Sequence, residues 1–262
     1  MNDLNSNRIP TGLNETLSEI SKDIPVCIVS TKDYGFLRDK IRFARIVSCI
    51  MGIETIRQWQ VGNDDITAKN YNDTHLVTDI KSLTDNSKLL DSLGMEISQT
   101  LKDVIVKHKY TTKERILAGI TIDYRHLEDW VSYKTKVEPI ICERIQQTRK
   151  SDLSFSAPKL YVELYSTHPF LDIYGIRCDK GRAFDSVLRI LDMDRSEKIL
   201  YLGDSENDNP AFVKADLSIG VHSDRRLHPT LNCQYSVDFD KLPLFLRRLS
   251  YDDFEFSEKL LY

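Results

Sequence analysis

Four oxygen-bearing side chains, Asp204, Glu206, Asn207 and Asp208, fall within five consecutive positions. They follow the apolar run 199–202 and Gly203, and so read as a loop at the carboxyl end of a buried strand. Ligands of open α/β sheets bind outside the carboxyl ends of the strands. Hard oxygen donors gathered there suit Mg2+, which takes one or two carboxylates and leaves its other positions to water and phosphate. A solvated acidic turn is the competing reading. Two further polar sites stand at comparable places. Ser30, Thr31 and Lys32 end another short apolar run, and Lys180 opens a helix ahead of the 199–202 strand. If the two strands are parallel neighbours, hydroxyls and lysines at one sheet edge would hold a phosphoryl group while the carboxylates hold the metal.

These groups need an α/β scaffold, and the hydrophobic pattern supplies one. Thr11 is placed to cap a helix carrying Leu13, Leu17 and Ile20, and Pro25 leads into a buried strand over 26–29. Leu37, Ile41, Ala44, Val47 and Met51 then predict one face of a second helix. After Asp179 comes a helix with Ala183, Phe184, Val187, Leu188 and Leu191. The strand 199–202, a short helix through Phe212, the strand 217–221 and a closing helix over 242–249 complete a domain formed by residues 1–58 and 175–262. Between these segments the character changes. Residues 62–74 are polar and rich in Asn and Asp, which places a boundary near Trp59. Ile97, Leu101, Val104, Ile105 and His108 predict a helical stripe, and residues 116–125 alternate as a half-buried strand. Val137, Ile140, Ile141, Arg144 and Ile145 predict a helix, and Leu160, Val162 and Leu164 another strand. Residues 59–174 thus read as an inserted α+β domain whose sheet is covered on one face only.

Composition excludes several classes. Apolar residues make up 41% and charged residues 29% of the 262, ordinary values for a globular protein. With 36 basic and 40 acidic residues the net charge is −4, and no basic block supports a nucleic-acid or membrane-surface role. No apolar run approaches the ~20 residues of a membrane span, and the polar start is no signal peptide. The five cysteines lie far apart without a CxxC pair, as expected of reduced thiols in a cytoplasmic protein. No Gly-rich nucleotide loop of the GxGxxG or GxxxxGK[ST] type follows any strand.

In this order, the motifs resemble those of the haloacid dehalogenase (HAD) superfamily of phosphatases. Gly-Asp-Ser-Glu-Asn-Asp at 203–208 looks like its fourth motif, whose acidic residues carry Mg2+. Lys180-Gly181 resembles the third, where the lysine neutralises the phosphoryl group and the attacking carboxylate, although a Lys-Gly pair alone is usually just a helix start. Ile-Val-Ser-Thr-Lys at 28–32 is similar to the second, whose hydroxyl, here Ser30, binds a phosphoryl oxygen. Its Ser-Thr-Lys form is closest to the Ser-Ser-Lys of mannosyl-3-phosphoglycerate phosphatases. The resemblance implies a Rossmann-like core with a parallel sheet, and a C2-type cap inserted between the second and third motifs. It further implies Mg2+ on Asp204 and Asp208, catalytic roles for Ser30, Lys180 and Asp208, and substrate contacts from Ser30, Thr31, Lys32 and Asn207. Within the cap, Thr121-Ile-Asp-Tyr-Arg125 and Leu160-Tyr-Val-Glu163 look like cap strands of trehalose-6-phosphate phosphatases. That makes Arg125 and Glu163 candidates for sugar contacts, with a charged surface pair as the plainer reading. The fourth motif is closer to the sucrose- and mannosylglycerate-phosphatase pattern. The implied substrate is a small sugar phosphate of open identity.

One part of the pattern is missing. The family begins with Asp-x-Asp at the end of a first strand, the first Asp attacking phosphorus and the second acting as general acid and base. Asp3 is the sole carboxylate before Glu15, follows no strand, and is separated by Leu4 from Asn5. A βαβ unit spans roughly 30 residues or more, so this first strand is expected to end at or before Met1. Two expectations follow: a longer protein whose upstream segment carries Asp-x-Asp, or a non-catalytic protein that binds Mg2+ and a phosphorylated sugar.

Overall fold

The computed structural model describes residues 9–58, 74–76, 80–150, 159–193, 197–223 and 229–262. The polar start, the Trp59 boundary and most of the Asn/Asp-rich stretch after it lie outside the described residues.

The chain opens with helix α1 (Thr11–Ile20), which follows Pro10 and has no side-chain cap; Thr11 is the first helical residue, not the cap expected from sequence. Strand β1 (Cys27–Val29) comes next, then a single helical turn, α2 (Tyr34–Leu37), and strands β2 (Ile46–Cys49) and β3 (Glu54–Arg57). The long second helix expected from Leu37, Ile41, Ala44, Val47 and Met51 is therefore replaced by the turn α2, the strand β2 and the tight turn over Ile50–Gly52. The helical spacing there is coincidental, because Ile46-Val47-Ser48-Cys49 is buried on both faces and β-branched at its start. β1 pairs parallel with β2, and β2 pairs antiparallel with β3. β4 (Thr74–Leu76) adds to β3 antiparallel and so extends the sheet of the first domain.

After the insertion, helix α5 (Lys180–Leu191) leads to β9 (Leu200–Gly203), the short helix α6 (Asn209–Phe212), β10 (Leu217–His222), β11 (Tyr235–Asp238) and helix α7 (Leu242–Tyr251). β9, β10 and β11 form an all-parallel sheet with β10 in the middle. β11 gave no sequence signal, since Tyr235-Ser-Val-Asp238 has a single buried position. The gathering of the motif loops at one sheet edge was conditional on β1 and β9 being parallel neighbours. Among the described residues they instead belong to separate sheets, each with one unpaired edge. Both are half-buried, whereas β2 and the interior of β10 are fully buried. Helices join the two sheets. Leu17 of α1 packs against the cores of both, and α5 packs on β1, β2 and β3 while touching α6 and the acidic loop.

The inserted domain holds two long helices, α3 (Ile80–Thr100) and α4 (Trp130–Lys150), on a four-stranded antiparallel sheet. Its strands are β5 (Ile105–Tyr110), β6 (Leu117–Asp123), β7 (Tyr161–Leu164) and β8 (Phe170–Tyr174), in the order β5-β6-β8-β7. The helical stripe expected through Val104, Ile105 and His108 ends at Thr100; β5 follows, its exposure alternating along the strand. One face of the sheet, with Ile120, Ile122, Leu171, Ile173 and Val162, packs on Leu90, Leu93, Ile97, Val137, Ile141 and Ile145 of the two helices. The other face is polar. Lys107, Thr121, Asp172 and Glu163 stand opposite one another across all four strands. The sheet was expected to be covered on one side only, yet all seven residues of β6 are buried. The polar face is turned toward the loop after β1, whose Lys32 ammonium lies 5.5 Å from the Phe170 ring centroid.

Candidate functional site

Lys180 and Asp208 form the centre of the core side. Asp179 caps α5 by accepting from the Arg182 backbone N–H at 2.8 Å, which places Lys180 in the first helical position. Lys180 Nζ then donates to Asp208 Oδ1 at 2.6 Å, with both residues buried. Two glycines permit this approach. A Cβ on Gly181 would lie 2.8 Å from the Pro210 carbonyl oxygen, and one on Gly203 would lie 2.5 Å from Asp208 Cγ. Asp208 accepts from four donors besides Lys180. These are the Tyr201 hydroxyl at 2.7 Å, Ser205 Oγ at 2.9 Å, and the backbone N–H groups of Ser205 and Asp204 at 3.1 and 3.3 Å. Its two oxygens are thus committed to protein donors, and of the two roles expected for it, metal ligation and orientation of Lys180, the geometry displays the second.

The loop after β1 is folded back on the end of β2. Ser30 N donates to Ser48 O at 2.9 Å, and the carbonyls of Ser30 and Lys32 accept from Met51 N and Ile50 N, each at 2.9 Å. Ile50 and Met51 both have positive φ, 50° and 56°, so this turn holds backbone strain beside the loop it supports. Ser30 Oγ accepts from the Lys32 N–H at 3.1 Å and makes no hydrogen bond to Lys180 or Asp208. Thr31 is half-buried in the same loop.

Lys32 reaches toward the inserted domain. Its ammonium lies 5.5 Å from the Phe170 ring centroid and 5.9 Å from that of Phe36, and no carboxylate among the described residues pairs with it. Burial pushes its pKa down to about 8, and the positive charges of Lys109, Arg125 and Lys107 add to that against the pull of Asp172. Arg125 stacks on the same Phe170 ring at 5.4 Å and pairs with Asp123 at 2.8 Å. Arg125 and Lys32 thus flank one aromatic side chain from the two domains. Glu163 faces the same space and has no hydrogen-bond partner among the described residues. Burial pushes its pKa up to about 7, reinforced by Asp172, Asp179 and Glu206.

Sequence reasoning missed the residues beneath these. Lys109 and Asp172 form a buried pair at 2.6 Å, and Lys107 pairs with buried Asp123, also at 2.6 Å. Asp172 further accepts from Thr121 Oγ1, from the Tyr165 hydroxyl at 2.8 Å and from the Tyr174 hydroxyl at 3.1 Å. Burial alone would raise its pKa, but Lys109 and these hydroxyls hold it below the ordinary range. The available signal was a lone acid inside Phe170-Leu-Asp-Ile-Tyr174, since a carboxylate in an apolar strand needs a buried partner. Lys107 and Lys109 at alternate positions of one strand supply the matching charge.

The inserted domain also closes on the acidic loop. Glu206 accepts from the backbone N–H and the hydroxyl of Ser166, the latter at 2.7 Å, and from the Thr167 hydroxyl at 3.3 Å. Asn207, expected to touch substrate, has its amide oxygen 2.6 Å from Ser205 Oγ, from which it accepts. Among the described residues no group of three or more His, Cys, Asp or Glu side chains is suited to a metal. The loop instead offers Asp204, at the carboxyl end of β9, as an oxygen donor. One carboxylate is the least that a hard divalent ion takes from a protein, its other positions going to water and phosphate.

A family model described as haloacid dehalogenase-like hydrolase matches residues 4–225. Among solved structures, a trehalose-6-phosphate phosphatase related protein is similar, with a TM-score of 0.59 at 13% identity over 97% of this chain and 92% of that one. A haloalkanoate-superfamily phosphatase from Bacteroides thetaiotaomicron gives 0.56 at 12% identity, covering 97% and 91% of the two chains. The Aspergillus fumigatus trehalose-6-phosphate phosphatase gives 0.53 at 14%, covering 96% and 88%. At these identities the likeness is one of fold. No curated protein sequence matches the chain. Among the described residues no helix is long and apolar enough to cross a membrane.

Proposed function

The chain belongs to the haloacid dehalogenase-like hydrolases, and from that premise we propose that it binds and dephosphorylates a small sugar phosphate. The observation that carries this reading is the buried Lys180–Asp208 pair, together with Lys32, Arg125, Phe170 and Glu163 where the loop after β1 meets the inserted sheet. A fixed ammonium at the core side neutralises the equatorial charge of a phosphoryl group, with Ser30 and Thr31 as hydroxyl donors from the loop after β1. Asp208 holds Lys180 in place through its five donors. The sugar is gripped between the two domains: Phe170 of the inserted domain offers an apolar ring face, Arg125 from the same domain and Lys32 from the loop after β1 donate, and Glu163 accepts from hydroxyls when ionised. Asp204 would hold Mg2+, which when bound would supply further neutralisation of the phosphoryl charge.

The same arrangement supports a second reading, in which the site holds a phosphosugar and Mg2+ without turnover. Its motivation is that no Asp-x-Asp precedes the Ser30 loop, where the family's attacking carboxylate is expected. The two readings part on one experiment. Phosphate release and calorimetric binding are measured on the same samples, with a panel of phosphorylated hexoses and disaccharides and Mg2+. Release that falls at least ~100-fold in Asp204→Ala supports the phosphatase. Binding without release supports the second reading, and neither binding nor release overturns both.

A further inference from the structure

We propose that Lys32 and Arg125 form a second anion subsite, so that the ligand carries a carboxylate or a second phosphate besides its phosphoryl group. The subsite lies at Phe170, where the loop after β1 meets the inserted sheet. Lys32 Nζ is 5.5 Å from that ring centroid and the Arg125 guanidinium carbon 5.4 Å, one cation from each domain. Arg125 reaches Asp123 through Nε at 2.9 Å, and its two terminal amino groups make no hydrogen bond among the described residues. A guanidinium with free amino groups beside a lysine ammonium suits a carboxylate or a phosphate. A neutral polyol would leave both charges unmet.

The charges of this corner do not balance. Four cations, Lys32, Lys107, Lys109 and Arg125, stand with two carboxylates, Asp123 and Asp172. Asp172 is taken up by Lys109 at 2.6 Å, and Asp123 serves both Lys107 and Arg125, at 2.6 and 2.8 Å. Lys32 has no carboxylate among the described residues, and two positive charges are left uncompensated. Glu163 does not supply the balance. It lies across from Asp172 at the β7 edge of the sheet, and the charges that act on it are those of Asp172, Asp179 and Glu206, all acids. Withdrawing a cation from water beside other cations is costly unless an anion joins it. Here the anion must come from outside the chain. It is also distinct from the phosphoryl group placed at Lys180, because the neighbours that act most on Lys32, namely Lys109, Asp172, Arg125 and Lys107, all belong to the inserted sheet.

The assignment rests on the reading of Lys180 as the phosphoryl-binding lysine, and paired probes let the two fail separately. Calorimetry on the full chain with Mg2+ compares gluconate 6-phosphate with sorbitol 6-phosphate, which differ by a carboxylate in place of a hydroxymethyl group. A second pair is glucose 1,6-bisphosphate and glucose 6-phosphate. Where phosphate is released, kcat/KM replaces affinity. At pH 7 the doubly anionic member of at least one pair should be favoured ~10-fold or more, and the pair that shows it identifies the anion as carboxylate or phosphate. In Lys32→Met that ratio should fall to about threefold or less, whatever each probe loses singly. Lys107→Met, at a half-exposed side chain, should lower the ratio in part, and it carries the comparison if Lys32→Met does not fold. Equal affinities within both pairs overturn the second subsite and leave the sugar-phosphate reading standing. A preference that both variants retain in full overturns the assignment to these cations. Binding of no probe overturns both readings.

Discussion

Deleting the carboxylate of Asp208 should destabilise the fold far more than deleting the ammonium of Lys180, although the two form one ion pair. Asp208→Ala strands a lysine that is 7% exposed and removes the acceptor for Tyr201, Ser205 Oγ and two backbone N–H groups. Breaking a buried pair in this way costs about 3–5 kcal/mol. Lys180→Met removes one of five donors and leaves the carboxylate with four, so the expected cost is that of one charged hydrogen bond, ~1.5–3 kcal/mol. Urea unfolding followed by circular dichroism measures both. With a slope of about 2–3 kcal/mol/M, the midpoint should fall by roughly 1–2 M for Asp208→Ala and by clearly less for Lys180→Met. Equal losses, or a larger one for Lys180→Met, would refute the picture of Asp208 as the hub.

Other expectations follow from the same geometry. Glu163 has its pKa raised to about 7, mainly by burial, so the folded state binds its proton more tightly than the unfolded chain does. Its stability contribution is present at pH 4 and is lost as pH rises toward 7. Thermal melts of Glu163→Gln should therefore show a smaller decline over that window, and parallel profiles would count against the assignment. Lys32, pushed down to about 8, is partly neutral at pH 8.5, and a bound phosphate would draw a proton onto it. Calorimetry at pH 8.5 in buffers of different ionisation enthalpy should report proton uptake that vanishes in Lys32→Met. The unpaired edges of β1 and β9 should give faster amide exchange there than in β2 and β10, and equal protection would mean that the edges are covered.

What could be read from sequence followed the strength of the local signal. Lys180-Gly181 and the acidic loop after β9 were legible because a capped helix start and a Gly-to-acid strand end are short-range features. β2 was mistaken for helix because Ile41, Ala44, Val47 and Met51 happen to recur at helical spacing, and only tertiary burial of Ile46 to Cys49 decides otherwise. β8 was missed because Leu171 and Ile173 alternate with Asp172, whose burial depends on Lys109, 63 positions away. The polar face of the inserted sheet was invisible for the same reason. Its residues are polar, and their burial is set by partners on neighbouring strands, such as Lys109 and Thr121 beside Asp172, and not by their own strand.

α5 is the element on which the site's geometry depends most, because no backbone ladder joins β1 to β9 among the described residues. The helix packs on β1, β2 and β3 with one part and on α6 and the acidic loop with another, so its seating sets the spacing between the two motif loops. Gly181→Ala tests this with an unusual sign. By helix propensity alone the change should stabilise by about 0.5–1 kcal/mol. The new Cβ would instead meet the Pro210 carbonyl oxygen at 2.8 Å and Pro210 Cβ at 3.0 Å. Neither neighbour can rotate aside, since one is backbone and the other a ring atom. The first turn of α5 must then withdraw from α6 and carry Lys180 away from its 2.6 Å contact with Asp208. A net fall in melting temperature is expected, together with faster exchange of the 204–208 amides. A rise in melting temperature would show that α6 yields freely, and that the Lys180–Asp208 spacing is not held by this contact.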